Sequence, residues 1–106
     1  MTMDEQGQPL RVPLVWQFPS DIVTRYATNI VVQHTEHEFV ISFFEAQPPP
    51  VLGDPEEQEA IVESMLNDGV PATCVARVVV ASERFQTFVE VLQTNLDRYI
   101  KKVAGE

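Results

Sequence analysis

The stretch RYATNIVVQHTEHEFVISFFEA, residues 25–46, decides how this chain folds. Tyr26, Thr28, Ile30 and Val32 share one parity, and so do Phe39, Ile41 and Phe43, so 25–34 and 38–46 read as two strands. Thr35, Glu36 and His37 leave room only for a tight hairpin loop between them, which makes the strands antiparallel neighbours. Neither strand is one-sided. Val31 lies opposite Ile30 and Val32, and Val40 and Phe44 lie opposite Phe39, Ile41 and Phe43. An antiparallel sheet with one covering helix should have one wet face. Apolar side chains on both faces call for a second cover, and a second subunit is the simplest candidate.

Upstream, LRVPLVWQF at 10–18 alternates Leu10, Val12, Leu14, Trp16 and Phe18, the pattern of a further strand. Pro13 lies on the other parity, so this strand is expected at an edge or beginning after Pro13. Pro19-Ser20-Asp21 then breaks the chain, and 20–24 fit a single helical turn.

Downstream, QPPPVLGDP at 47–55 cannot join a ladder. EEQEAIVESMLNDG at 56–69 places Ala60, Ile61, Met65 and Leu66 near helical spacing, with acids early and Gly69 as a stop. This predicts a short helix within an acidic insertion, 47–71. ATCVARVVVA at 72–81 is a β-branched strand, and Ser82 suits an N-cap. In 83–104, Phe85, Phe88, Val89, Leu92, Leu96, Tyr99 and Val103 step by three or four along one helix face, and Gly105 can end it. Burying those seven side chains contributes on the order of 1.5–3 kcal/mol each in gross transfer energy. The expected fold is α+β: a four-stranded antiparallel sheet, a long C-terminal helix packed on one face, and a short helix in the acidic insertion. Residues 1–9 are expected to be a flexible tail and 10–106 a single domain.

The 106 residues include 16 acidic and 7 basic side chains, for a net charge of −9; residues 47–71 carry six acids and no base. This balance repels phosphate backbones and anionic membrane surfaces, so neither nucleic acid nor membrane is an expected partner. Arg98, Lys101 and Lys102 cluster where a helix C-terminus favours cations. No apolar run approaches the ~20 residues of a membrane span. The N-terminus has no basic start and no apolar leader segment, and the one cysteine cannot form an internal disulfide; a cytoplasmic protein is expected.

Chemistry-bearing residues are sparse. His34, Glu36, His37 and Glu38 form the best local constellation, HTEHE. Strand residues three apart face opposite sides, so only the hairpin bend could bring the imidazoles together, and an exposed polar turn is the better reading. Cys74 has no neighbouring base in sequence and reads as a small strand residue. No serine sits in a nucleophile-elbow context and no glycine-rich phosphate loop exists. No catalytic, cofactor-binding or metal residue is therefore nominated. Asn29 and Asn95 read as polar contacts between helix and strand or across a dimer axis. Trp16, Phe18, Val31, Val40 and Phe44 are the candidate interface. Ile61, Met65 and Leu66 form an apolar stripe on a tethered helix, a candidate docking surface for another protein.

Three stretches carry a resemblance: 26–46, GVPATCVARVVVAS at 69–82, and ERFQTFVEVLQTNLDRYIKK at 83–102. Together they resemble the small prokaryotic family catalogued as domain of unknown function 3467. Tyr26, Asn29, His34, Phe39, Val40, Val70, Pro71, Arg77, Leu92, Asn95 and Tyr99 stand at the matching places. The insertion at 47–68 is longer than the usual form. The family implies a fold and brings no activity. A looser likeness, in element order alone, is to SecB-type export chaperones, which place a long helix after a four-stranded antiparallel sheet and oligomerise.

The expected function is a non-enzymatic protein-interaction module or small subunit of a larger assembly, self-associating through its sheet as a homodimer or higher. The alternatives are a SecB-like holdase chaperone that binds unfolded segments, and an enzyme whose site spans a dimer interface.

Overall fold

A computed structural model describes residues 11–105. The element order is β1 (Asn29–His34), β2 (Glu38–Ala46), α1 (Pro55–Asp68), β3 (Ala72–Ala81) and α2 (Ser82–Ala104). The strands form one antiparallel sheet in the order β1-β2-β3. The sheet therefore has three strands among the described residues, where four were expected.

The missing strand is 10–18. Leu10 lies outside the described residues, and 11–18 run without ladder partners, with Trp16 80 % and Phe18 86 % exposed. Alternation at Val12, Leu14, Trp16 and Phe18 favours an extended backbone, but a strand also needs a neighbour for its N–H and C=O groups. Pro13 and Pro19 remove donors, and among the described residues no strand pairs with this segment. After this arm, Ile22 N–H donates to Pro19 O at 3.1 Å, a turn in place of the helical turn expected over 20–24.

The hairpin forms as its loop length predicts. Thr35 N–H donates to Glu38 O at 2.9 Å, and His34 stands opposite Phe39. β1 starts at Asn29, later than position 25. Just before it, Thr28 ties the far end of the pair, its N–H donating to Phe44 O and its hydroxyl accepting from Ala46 N–H. Between β2 and β3, Ala76 faces Phe43 and Cys74 faces Phe44, which leaves Val75 as an extra residue in a bulge.

The insertion leaves and rejoins the sheet at one point. Ala46 pairs with Ala72, and Gln47 N–H donates to Pro71 O at 2.9 Å. Within it, α1 approaches neither the sheet nor α2 closely. A helix of 14 residues without tertiary packing depends on its ends. Asp54 accepts from Glu57 N–H at 2.8 Å, Pro55 opens the first turn, and Gly69 takes the positive φ of 84° at the end, its N–H donating to Met65 O.

β3 runs straight into α2. Ser82 N–H donates to His37 O at 2.9 Å and Ser82 is the first helical residue; Ala81 occupies the cap position and no side chain caps the helix. Ser82 is thus not the N-cap its type suggested: the helix begins one residue earlier, with Ala81 at the cap position.

The expected burial of seven side chains along α2 is not reached in this chain. Among the described residues only Val80 (4 %) and Ser42 (3 %) are buried, while Phe88, Val89, Leu92, Leu96, Tyr99 and Val103 are exposed and Phe85 is half-buried.

The charged Asp54 carboxylate accepts the Glu57 N–H, which holds its pKa below the ordinary aspartate value. A carboxyl lowered in the folded state stabilises the fold above its unfolded pKa, and that stabilisation is lost as pH falls through the folded value. Helicity over 55–68, followed by residue-level amide exchange, should fall on acidification below the aspartate range, and should fall at neutral pH in Asp54→Ala while Asp54→Asn retains most of it.

Candidate interaction surface

The pairing register sorts the sheet into two faces. Ile30, Val32 and His34 of β1 share a face with Phe43, Ile41 and Phe39 of β2 and with Ala76, Val78 and Val80 of β3. α2 lies on this face. Phe85 stacks on Phe39 with ring centroids 3.9 Å apart and planes within 6°, and the His34 ring leans on Phe39 at 5.5 Å. Beyond that anchor, the helix stands away from the sheet. Ile41, Phe43, Val78 and Val80 below and Phe88, Val91 and Leu92 above enclose an open apolar cleft of about 420 Å³. α2 sits over β2 and β3, which leaves Ile30 59 % and Val32 44 % exposed at β1.

The opposite face carries Asn29, Val31 and Gln33, then Val40, Ser42 and Phe44, then Val79, Arg77 and Cys74. Sequence parity put Val31, Val40 and Phe44 on this side, and the register places them there. Val31 and Val79 are exposed; Val40 and Phe44 are half-buried. In the middle, Arg77 Nε donates to the buried Ser42 hydroxyl at 3.3 Å. That pair was not anticipated, since it depends on which residue of β3 meets Ser42. At one end Asn29, Val31, Phe44, Ala46, Val70 and Ala72 line a second hollow of about 370 Å³.

Trp16 and Phe18 are on neither face. They project from the unpaired arm. Asn95 lies on the outer surface of α2 with Glu90 and Arg98, away from Asn29, so the two amides do not meet. On α1, Ile61 packs near Pro49 and Ala60, Met65 is half-buried, and Leu66 is exposed. Val91 is a further apolar residue of α2 toward the cleft, and its position three after Phe88 could have revealed it.

The chemistry-bearing side chains are dispersed. His37 is exposed in the hairpin loop, with Nε2 3.9 Å from Glu36. His34 packs on Phe39, while Cys74 is exposed on the other face opposite Phe44, five β2 residues or about 17 Å along the strand. Among the described residues no group of three or more His, Cys, Asp or Glu could hold a metal ion, and no helix is long and apolar enough to cross a membrane.

This geometry defines an open α+β protomer with an antiparallel sheet, a long C-terminal helix and apolar surface on both sheet faces. The family model described as protein of unknown function (DUF3467) matches residues 4–106, so the chain belongs to that family. No curated protein and no solved structure matches it. Nothing supports the looser likeness to SecB-type chaperones, whose element order needs a fourth strand that this sheet lacks.

The Phe39–Phe85 stack anchors α2 on the sheet. Phe85→Ala should destabilise the protein by about 2 kcal/mol in urea unfolding, less than a fully buried phenylalanine because the ring is half-exposed. An unchanged midpoint would show that α2 is held elsewhere.

Proposed function

We propose that this protein is a self-associating protein-interaction module with no catalysis of its own, in which a second copy covers the sheet and helix surfaces that one copy leaves open. One observation carries the reading. A folded monomer of 12.0 kDa exposes about 6,000 Å², whereas this protomer exposes 9807 Å², an excess of roughly 3,800 Å². Its radius of gyration, 21.5 Å, compares with about 13 Å for a compact chain of this length. The excess is larger than the roughly 1,000–2,500 Å² per partner that obligate homodimers hide, because it also includes the detached insertion and the unpaired arm. It is also apolar where it matters: Ile30, Val32 and Leu92 beside the cleft, Val31 and Val79 behind it, and Trp16 and Phe18 on the arm.

The acidic helix α1 fits a separate task. It is capped, tethered at the Gln47–Pro71 neck and free of the sheet, so it can meet another protein without disturbing self-association. Light scattering on a size-exclusion column should give at least twice the 12.0 kDa chain mass at micromolar concentration. A variant in which Asn-Gly replaces 47–71, joining the paired Ala46 and Ala72 by a two-residue turn, should keep the same number of copies, at a mass lowered only by the residues removed. A 12 kDa species at every concentration would contradict the reading.

A further inference from the structure

We propose that the second copy supplies the missing strand: residues 12–18 of each protomer pair antiparallel with the free edge of the other protomer's β1. This rests on the self-association reading and names the segment that carries it.

The hairpin bond from Thr35 N–H to Glu38 O and the ladder register put the odd-numbered residues of β1 in hydrogen-bonded pairs with β2. The main-chain groups of Ile30, Val32 and His34 therefore point outward, to the free edge. Edge strands are usually protected by charge, proline or a bulge. Asn29–His34, NIVVQH, has no acid, no lysine or arginine, no proline and no bulge. The other edge, β3, has Arg77 at its centre and the bulge at Val75. β1 is the unprotected edge.

The arm fits it in one way. Pro13 has no N–H, so its position must face away from the neighbouring strand. The residues that bond are then Val12, Leu14, Trp16 and Phe18. In an antiparallel pair, bonded residues stand opposite one another with side chains on the same face. Leu14, Trp16 and Phe18 thus fall beside Ile30, Val32 and His34, on the face that α2 covers only over β2 and β3. Seven arm residues span about 23 Å, enough to cover the six of β1. The arm stands clear of its own β1, and each copy offers the same arm and the same edge, so reciprocal exchange closes with twofold symmetry. The four aromatic rings of two arms alone hide on the order of 600–1,000 Å².

Trp16 is the sole tryptophan, so its emission and acrylamide quenching report the arm without a label. These are measured with the molecular mass across a dilution series for the native chain, for a chain lacking residues 2–18, and for Val32→Pro, which removes an outward N–H and no β1–β2 ladder bond. The native chain should be dimeric with blue, poorly quenched Trp16 that becomes red and accessible on dilution. Removing the arm should weaken dimerisation more than about 100-fold, because buried aromatic anchors are each worth tenfold or more. Val32→Pro should also dissociate and expose Trp16, with its sheet signal in circular dichroism retained. A dimer with exposed Trp16, or one that survives loss of the arm, overturns the exchange and leaves self-association standing; a dimer that keeps Trp16 buried in Val32→Pro overturns the choice of edge. A monomer at all concentrations overturns self-association itself, and if its Trp16 is buried the arm closes on its own sheet.

Discussion

Unburied apolar surface governs this molecule. Three strands and one helix make a layer with two faces, and a single helix can shield only one of them. Here it shields only part of one: α2 is anchored by Phe85 on Phe39 and then leaves an apolar cleft of about 420 Å³. Two residues among those described are buried. Folding must overcome a conformational entropy of roughly 1–2 kcal/mol per residue, and the hydrophobic effect is the main term that offsets it. A protomer that keeps Ile30, Val31, Val79 and Leu92 in water forgoes much of that term. The proposed association follows from this shortage: the surface that a second copy covers is the surface that makes either copy stable.

The insertion obeys a different rule. α1 has no tertiary contact with the sheet or α2, so its order comes from local devices: Asp54 at one end, Gly69 at the other, and Pro55 in the first turn. The Ala46–Ala72 pair and the Gln47–Pro71 hydrogen bond make the whole segment an appendage on one corner of the sheet. Its six acids and absence of bases give it a sign, and its detachment gives it reach. The exposed apolar surface and the acidic appendage are thus held on separate parts of a short chain.

Features of the fold set by neighbouring residues follow from the sequence, and those set by distant pairings do not. The range of β2 and the three-residue loop follow from alternation on both sides of Thr35-Glu36-His37. Gly69 and the length of α2 follow from one stop signal and one apolar period. Ser82 is the first helical residue and not the cap, a shift of one residue that a capping residue type does not resolve. The Ser42–Arg77 pair and the Val75 bulge depend on a register set across the insertion, which no local pattern encodes. The arm is the most informative error. Alternation from Val12 to Phe18 is compatible with an extended segment, but it does not say whether a neighbouring strand exists to pair with it. Of the residues singled out in the sequence, Val31, Val40 and Phe44 share a sheet face as parity predicts, while on α1 Ile61 and Met65 are half-buried and Leu66 is exposed.

The claim that one copy lacks the buried surface to be stable alone makes stability a function of concentration, since association then adds to the folding equilibrium by mass action. The melting temperature measured by calorimetry over a hundredfold range of protein concentration tests this directly. The account predicts a midpoint that climbs steadily with concentration while unfolding stays reversible. A midpoint that stays fixed over that range, with the protein fully folded at the lowest concentration, would contradict it.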